Sequence, residues 1–533
     1  MKISKPIQIM LWLNIFSLNL ILRYPATPHE IGWDSFAIHS LANSISIFGD
    51  AKWWIHPLSI IGLYPYSYAS AVPFMLSGIS QLTSMNMEWT VWFFSSVFLG
   101  LLSIFTAYLM AGEILDNDIF KYLVAFGYST SQGILYFTTW TVSTRGAFIV
   151  LLPLFIYLLL KSRTSKLKYG ILSFILFLIL LTTHRLIFFT VPIFIAYLVT
   201  ITTQNYFHKI QKKLVSVALI ISFVTIFILS TKIQIMPSSI KGSGFDLLPE
   251  LIITYARYIG VLGVFGMLGL IFLLSDSKKS FEEWFLTLAL LGVIFLLGMK
   301  TYMAYFILPF AFLLAGIGII RSINILNKKR KAVFSIIILS LLLSVGFSGF
   351  YQFWHTNIKG RAYYNEVYME EATYTASLWI KDNLKNRAII SNDDTVANRI
   401  LSISEVPTLT GLGANDISYG FVNKEELKFE MRPLASVLDW KGELYTPIEK
   451  SDTSWYRYNL MSVEFSSKLG QQILEEYNLT YEVDNKYILS RWGGRYSKFP
   501  KSVHEKKDNI YDNGKITIWS LKEVLYENSY IHN

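Results

Sequence analysis

The chain has 533 residues, enough for two or three soluble domains, yet 53% of them are hydrophobic and only 16% charged, and the mean hydropathy is +0.42. That composition excludes a soluble globular chain, while ordinary glycine and proline contents beside many aromatic residues exclude disorder and collagen. Charge is divided along the chain: residues 351–533 hold 22 Lys+Arg and 25 Asp+Glu, which leaves 25 basic and 12 acidic residues to the first 350. The basic excess sits in short connections between apolar runs, where it reports topology and gives no nucleic-acid signal. Without cysteine, there is no disulfide framework, thiolate metal site or cysteine nucleophile, so any exposed domain must fold on its core alone.

Apolar runs compatible with spanning helices lie at about 7–24, 90–110, 119–137, 146–160, 169–183, 186–203, 214–231, 251–274, 281–298, 302–320 and 331–350. The expected fold class is therefore a polytopic α-helical membrane protein with about 11 transmembrane helices over residues 1–350, followed by an extracytoplasmic mixed α/β domain over 351–533. Arg23-Tyr24-Pro25 follows the first run in place of a small-residue cleavage site, so that run reads as a retained span. The 65-residue stretch 25–89 comes next, far longer than a connection needs. Within it Ile38, Leu41, Ile45 and Phe48 recur at helical spacing opposite Ser35, His39, Asn43 and Ser46, which predicts an amphipathic helix along the membrane surface. Residues 57–83 are apolar but broken by Pro57, Pro65 and Pro73 and read as interfacial helices lining a cavity.

In the tail the spacing predicts a helix over Glu371 to Asn386, a strand over Arg387 to Ser391 and a helix over Ser466 to Tyr477. Thr480 to Val483 is expected to pair with Tyr487 to Ser490 across Asp484-Asn485. Asn513-Gly514 suits a type I′ hairpin turn between two further strands.

Taken alternately, one set of connections carries 17 basic residues, among them Lys121, Lys161, Arg163, Lys279 and Arg321. The other set offers Arg145, Arg185, Lys232, Lys241 and Lys300, with Lys52 in the long loop. The positive-inside rule makes the N-terminus cytoplasmic, and an odd helix count places the tail outside with loop 25–89. The acidic residues of the membrane part then divide into an outer group (Glu30, Asp34, Asp50, Glu88, Asp246 and Glu250) and an inner group (Glu113, Asp116, Asp118, Asp276, Glu282 and Glu283). Asp116-Asn117-Asp118 has the D-x-D form of a sugar-nucleotide metal site but falls on the inner side, where a solvated turn is the simpler account. Asp34 stands just after the first span at the start of the predicted surface helix; helix N-capping alone accounts for an aspartate there.

His29-Glu30-Ile31-Gly32-Trp33-Asp34-Ser35-Phe36, continuing to Ala51-Lys52-Trp53-Trp54 and Tyr64-Pro65-Tyr66-Ser67-Tyr68, resembles the GT-C class of membrane glycosyltransferases. The likeness is to archaeal proteins akin to the dolichyl-phosphate-mannose protein mannosyltransferases, and Ala376 to Lys381, Ile389 to Ser391 and Ile510 to Gly514 are similar to their trailing domains. The resemblance implies a sugar carried on a polyprenyl phosphate, an acceptor that is a glycan, protein or lipid, and a general base in the loop, a role that falls on Asp34. Because a phosphate leaving group is already present, one carboxylate and a few fixed cations suffice. Candidate phosphate-binding residues at outer helix ends are Arg145, His184, Arg185, Arg257 and Lys300, with Lys52 in the loop and Glu30 as an acidic partner. Ordinary interfacial anchoring accounts equally for His184 and Arg185, and snorkelling for Arg257. No D-x-D stands in the outer loop and no W-W-D in the tail, where Trp455-Tyr456-Arg457 occurs instead. Glu30 and Asp34, four apart, could share one helical face and a divalent ion, but without a paired-carboxylate motif no metal and no other cofactor is expected, and transfer of a whole oligosaccharide to asparagine is disfavoured. The rival readings are a transporter or lipid flippase, and a polysaccharide polymerase or ligase centred on arginine.

Overall fold

A long apolar run can leave water as a helix that satisfies its own backbone, and the elements among the described residues up to 354 are accordingly helices. The computed structural model describes residues 2–61, 71–164, 166–207, 217–226, 247–276, 278–294, 304–326, 330–354, 368–385, 387–410, 413–422, 429–431, 445–447, 467–487 and 508–521. In chain order the membrane part comprises α1 (Lys5–Leu22), α2 (Trp33–Phe48), α3 (Ala71–Thr83), α4 (Met87–Ile114), α5 (Asp118–Thr130), α6 (Thr144–Lys161), α7 (Lys166–Thr183), α8 (Val191–Phe207), α9 (Leu247–Ile259), α10 (Gly263–Ser275), α11 (Phe281–Ile294), α12 (Leu308–Ile325) and α13 (Arg330–Phe353). Among the described residues seven helical stretches are long and apolar enough to cross a membrane, with shorter apolar helices at Leu167–Thr183 and Val217–Ile226. The run expected at 119–137 is instead α5, which stops at Thr130, followed by the short turn Gln132–Leu135.

Phe120, Tyr128, Phe148, Phe155, Phe285, Phe306 and Phe310 fill the centre of the bundle, while Leu342, Ile338, Phe174 and Ile195 stay exposed, as a lipid-facing surface requires. Small residues set the closest approach. Gly269 of α10 lies against the Leu314 carbonyl of α12, and Gly318 against the Phe265 carbonyl, with no room for a Cβ at either position.

Ion pairs sort the two ends of the bundle. Lys161 bonds Glu113 at 2.9 Å, Arg163 bonds Glu282 at 3.3 Å, Lys121 bonds Asp116 at 2.7 Å, and Arg321 reaches Asp276 at 2.8 Å and Glu283 at 3.1 Å. Each of these acids belongs to the inner group of the sequence reading and each base to the lysine-rich set of connections.

The tail contains α14 (Glu371–Asn383), α15 (Asp394–Ser404), α16 (Gly413–Ser418) and α17 (Lys468–Glu476). Its strands are β1 (Ala388–Ser391), β2 (Thr408–Leu409), β3 (Phe429–Met431), β4 (Tyr445–Pro447), β5 (Leu479–Asn485), β6 (Asn509–Asp512) and β7 (Ile516–Ser520). Five of them form a mixed sheet in the order β2-β1-β5-β7-β6. Strand periodicity puts Ile389 on one face, with Ala376, Ile380, Val396 and Ile518, and Ile390 on the other, with Leu474, Tyr477 and Phe421. The β6–β7 hairpin forms, but one residue along from the expected turn and not as type I′: the Asn513 N–H donates to the Ile516 carbonyl at 3.2 Å, so Gly514, with φ +89°, and Lys515 are its central residues. Asp484 and Asn485 are not a turn: β5 runs on through them and pairs with β7, Asn485 opposite Ile516. Residues 488–490, part of the strand expected to pair with it, lie outside the described residues.

The predicted surface helix also differs. In α2 every residue from Ser35 to Ile45 is buried. Ile38 and Ala42 pack with Val72 and Leu76 of α3, and the polar side that water was expected to cover is covered by the tail. Asn43 donates to the Ser402 carbonyl of α15 at 2.8 Å, and the Tyr419 hydroxyl donates to the Ser40 carbonyl at 3.1 Å. A helix with apolar and polar stripes meets the membrane domain on the first and a hydrogen-bonding protein surface on the second.

Candidate active site

The entry to α2 is shaped by Gly32, whose φ of +100° is open to few other residues. A Cβ there would lie 2.6 Å from Thr141 Oγ1, so the chain passes hard against the segment 139–143. The Ile31 N–H donates to the Trp140 carbonyl at 3.1 Å, and Ile31 also forms an isolated bridge with Tyr368 at the start of the tail. Loop, membrane domain and tail thus meet within a few residues of Asp34.

Asp34 is the second residue of α2 and not its N-cap, a position held by Gly32. Its carboxylate pairs with the Arg145 guanidinium, which is raised on the first turn of α6, where Ser143 caps the helix by accepting from the Arg145 N–H at 3.2 Å. The Asp34 side chain is 35% exposed and that of Arg145 23%, so both are open to a substrate. Glu30 is entirely buried. It precedes α2, so it does not share a helical face with Asp34. Its Oε1 accepts from Ser35 Oγ at 2.5 Å and its Oε2 lies 2.6 Å from His39 Nδ1. Ser35 Oγ in turn accepts from the Val142 N–H at 2.7 Å.

The cations of the sequence reading are placed unequally. Tyr136 lies near enough to Arg145, Arg257 and Asp34 for all three charges to act on its hydroxyl, and Tyr305 is likewise within reach of Arg145. Arg257, in the last turn of α9, lies over the rings of Tyr258 at 5.3 Å and Tyr351 at 4.8 Å, and its buried Nε has no hydrogen-bond partner among the described residues. His184 caps the short turn Arg185–Thr190 by accepting from the Leu186 N–H at 3.0 Å, and the charges of Arg185 and Arg145 both reach it. Lys52 sits over the Phe48 ring at 3.6 Å, at the opposite end of α2 from Asp34. Lys300 and Tyr64 to Tyr68 lie outside the described residues.

Three features had no sequence signal. Tyr136, Tyr258 and Tyr305 join the arginines, with the Tyr258 and Tyr305 hydroxyls 2.9 Å apart. Ser35 and His39 surround Glu30. His29 forms a clasp: its Nδ1 is 3.2 Å from Glu88 of α4, its Nε2 3.1 Å from Glu371 of α14, and Tyr374 stacks on its ring at 3.7 Å. Burial opposes the charged imidazolium, but the hydrogen bonds and charges of Glu88 and Glu371 outweigh it and hold the His29 pKa above its ordinary value. A raised folded pKa stabilises the protein fully below the unfolded value of about 6.5 and loses that contribution as pH rises through the folded value. Thermal unfolding of the detergent-solubilised protein should therefore come earlier at pH 8.5 than at pH 6, and His29→Gln should abolish that difference. The clasp is expected to contribute on the order of 1 kcal/mol, because Glu371 is largely exposed. An equal pH dependence in wild type and His29→Gln would remove the clasp as its source.

The D-x-D sequence is structural. Asn117 caps α5, accepting from the Ile119 and Phe120 N–H groups, and Asp118 accepts from the Ile3 N–H at 3.1 Å beside the start of α1. Arg23, at the other end of α1, donates to Thr138 Oγ1 at 3.0 Å and the Ser129 carbonyl at 2.9 Å. The 18 residues of α1 put these ends ~27 Å apart at 1.5 Å per residue. Among the described residues no group of three or more His, Asp or Glu is arranged to hold a metal ion. Glu30 bonds Ser35 and His39, and Asp34 pairs with Arg145.

No family model matches the sequence, and no curated protein matches it by sequence. Solved structures do match. The oligosaccharyltransferase of Archaeoglobus fulgidus in its apo form aligns over 90% of this chain and 70% of its own, at 12% identity and TM-score 0.60; its complex with Zn and sulfate aligns over 89% and 68%, at 12% identity and TM-score 0.57. ArnT from Cupriavidus metallidurans, bound to undecaprenyl phosphate, aligns over 96% of this chain and 97% of its own, at 11% identity and TM-score 0.52. At such identities the likeness is one of fold, and the chain has the fold of the GT-C membrane glycosyltransferases, a polytopic helical domain followed by a C-terminal domain.

Proposed function

We propose that this chain transfers a sugar from a polyprenyl-phosphate carrier to an acceptor hydroxyl on the outer face of the membrane. The observation that carries the reading is the half-exposed Asp34–Arg145 pair at the junction of loop, bundle and tail, on a fold otherwise known from the oligosaccharyltransferase and ArnT. In this reaction the acceptor O–H gives its proton to Asp34 as its oxygen bonds to the sugar C1, and the C1–O bond to the carrier breaks. The carrier departs as a polyprenyl phosphate, whose charge Arg145 neutralises, with Arg257 as a further cation near Tyr136. His184 and Arg185 belong to the same charged neighbourhood; Lys52, beyond the far end of α2, does not. The positive-inside reading puts this end of the bundle and the tail outside the cell.

The donor class is supported by the undecaprenyl phosphate bound to ArnT, and a separate acceptor by the oligosaccharyltransferase structure tethered to a peptide. Incubation of membranes containing the protein with a radiolabelled polyprenyl-phosphate hexose should move label from the organic phase into acceptor and release free polyprenyl phosphate. A flippase would relocate the intact lipid-linked sugar with its C1–O bond unbroken, and that outcome would overturn the reading.

A further inference from the structure

We infer that Glu30 is the positioning residue of the Asp34–Arg145 pair, acting through Ser35 and Val142 and never touching the substrate. The inference rests on the transferase reading above and adds to it a role for a carboxylate that the sequence offered only as an acidic partner of Asp34.

Two elements distant in sequence must present the pair: Asp34 comes from the first turn of α2, and Arg145 from the first turn of α6. An ion pair between partly exposed side chains adds little to the placement of either turn by itself. What lies beneath is better defined. Glu30 has no exposed surface, so a substrate oxygen cannot reach it. One carboxylate oxygen takes the Ser35 hydroxyl at 2.5 Å, one residue from Asp34, and the other faces His39 Nδ1 at 2.6 Å, one helical turn further along. The two contacts hold the first turn and a half of α2 to one buried point. Ser35 passes the link on, because its oxygen also accepts from the Val142 N–H at 2.7 Å, three residues before Arg145. The same segment is tied to the loop again by Ile31 and Trp140. Glu30 therefore joins both halves of the pair through one continuous hydrogen-bonded chain.

A buried carboxylate is costly unless several donors meet it, and Glu30 meets Ser35 and His39. Buried hydrogen bonds of 2.5 and 2.6 Å suit a joint that must keep two side chains within a fraction of an ångström of productive geometry.

The test compares Glu30→Gln, Ser35→Ala and Asp34→Asn, alone and in pairs, by hexose transfer from a radiolabelled polyprenyl phosphate per mole of purified, monodisperse protein. Glu30→Gln and Ser35→Ala should each lower kcat about 10- to 100-fold with the donor KM little changed, as misplacement of catalytic groups does. In the Asp34→Asn background each should lower the residual rate by a clearly smaller factor than in the wild type, because only the Arg145 half of the pair is left to position. A merely structural role would lower the residual rate by the same factor in both backgrounds, and that result overturns the inference. So does a loss in Glu30→Gln as large as in Asp34→Asn with Ser35→Ala active, which would make Glu30 itself the base. If Glu30→Gln fails to accumulate, Ser35→Ala in the two backgrounds decides. Full transfer by Asp34→Asn would defeat the transferase assignment of that residue, whereas loss in Asp34→Asn with wild-type rates in Glu30→Gln and Ser35→Ala would defeat this inference alone.

Discussion

Asp34→Asn should insert and fold as the wild type does and transfer sugar ~10²- to 10⁴-fold more slowly, the usual worth of a positioned general base. The geometry separates the two effects. Asp34 does not cap α2, since Gly32 holds that position, so no capping hydrogen bond is at stake. The amide oxygen of asparagine still accepts from Arg145 at the same size, and the buried chain of Glu30, Ser35 and Val142 is untouched. What disappears is a carboxylate able to take the acceptor's proton. A carrier protein, or a purely structural role, predicts no selective loss; an Asp34→Asn protein made at normal levels and transferring at the wild-type rate would withdraw the base assignment.

How much of this was legible in the sequence follows from what each signal measures. Hydropathy and charge alternation gave the membrane class and sorted acids and bases between the two ends, because both report on solvent and not on neighbours. The acids read as one group do pair with the bases of the lysine-rich connections, Lys161–Glu113 and Arg321–Asp276 among them. The hairpin at Asn513-Gly514 was legible to within one residue because turn geometry is local. The environment of α2 was not. Its stripe of Ser35, His39 and Asn43 fits water and fits Glu30 and Ser402 equally well, and periodicity cannot tell a solvent-facing polar stripe from one covered by a domain 359 residues along the chain. The same limit hid α15 and α16, which earn their place by packing on α2. At the site, the residue type and position of Asp34 were visible, as was Arg145 among several cations, but their pairing depends on Gly32 passing Thr141 closely enough to leave no space for a Cβ. Tyr136 and Tyr305 join the arginines only through the tertiary fold.

Replacement of Arg145 should cost as much as any change in the chain apart from Asp34, and the relation between the two losses tells apart the chemistries this fold could host. In the resting protein the guanidinium is held by Asp34, and a donor phosphate brings a second anion to the same cation. Arginine can serve both, since its five donors spread over a planar fork. As the C1–O bond breaks, negative charge grows on the phosphate, and a fixed cation there is worth ~10²- to 10³-fold in rate, as for other preorganised donors to a developing oxyanion. Arg145→Gln should therefore lower kcat by about that factor and raise the donor KM. Arg145→Lys, which keeps the charge but not the fork, should recover only part of the loss. In the base-centred mechanism Asp34→Asn still loses at least as much as Arg145→Gln. In an arginine-centred polymerase or ligase the order reverses: Arg145→Gln, and with it Arg257→Gln, abolishes activity while Asp34→Asn remains nearly normal. Steady-state kinetics of Asp34→Asn, Arg145→Gln and Arg257→Gln with one labelled polyprenyl-phosphate donor reads that order directly, and the reversed order would move the catalytic burden from the carboxylate to the two arginines.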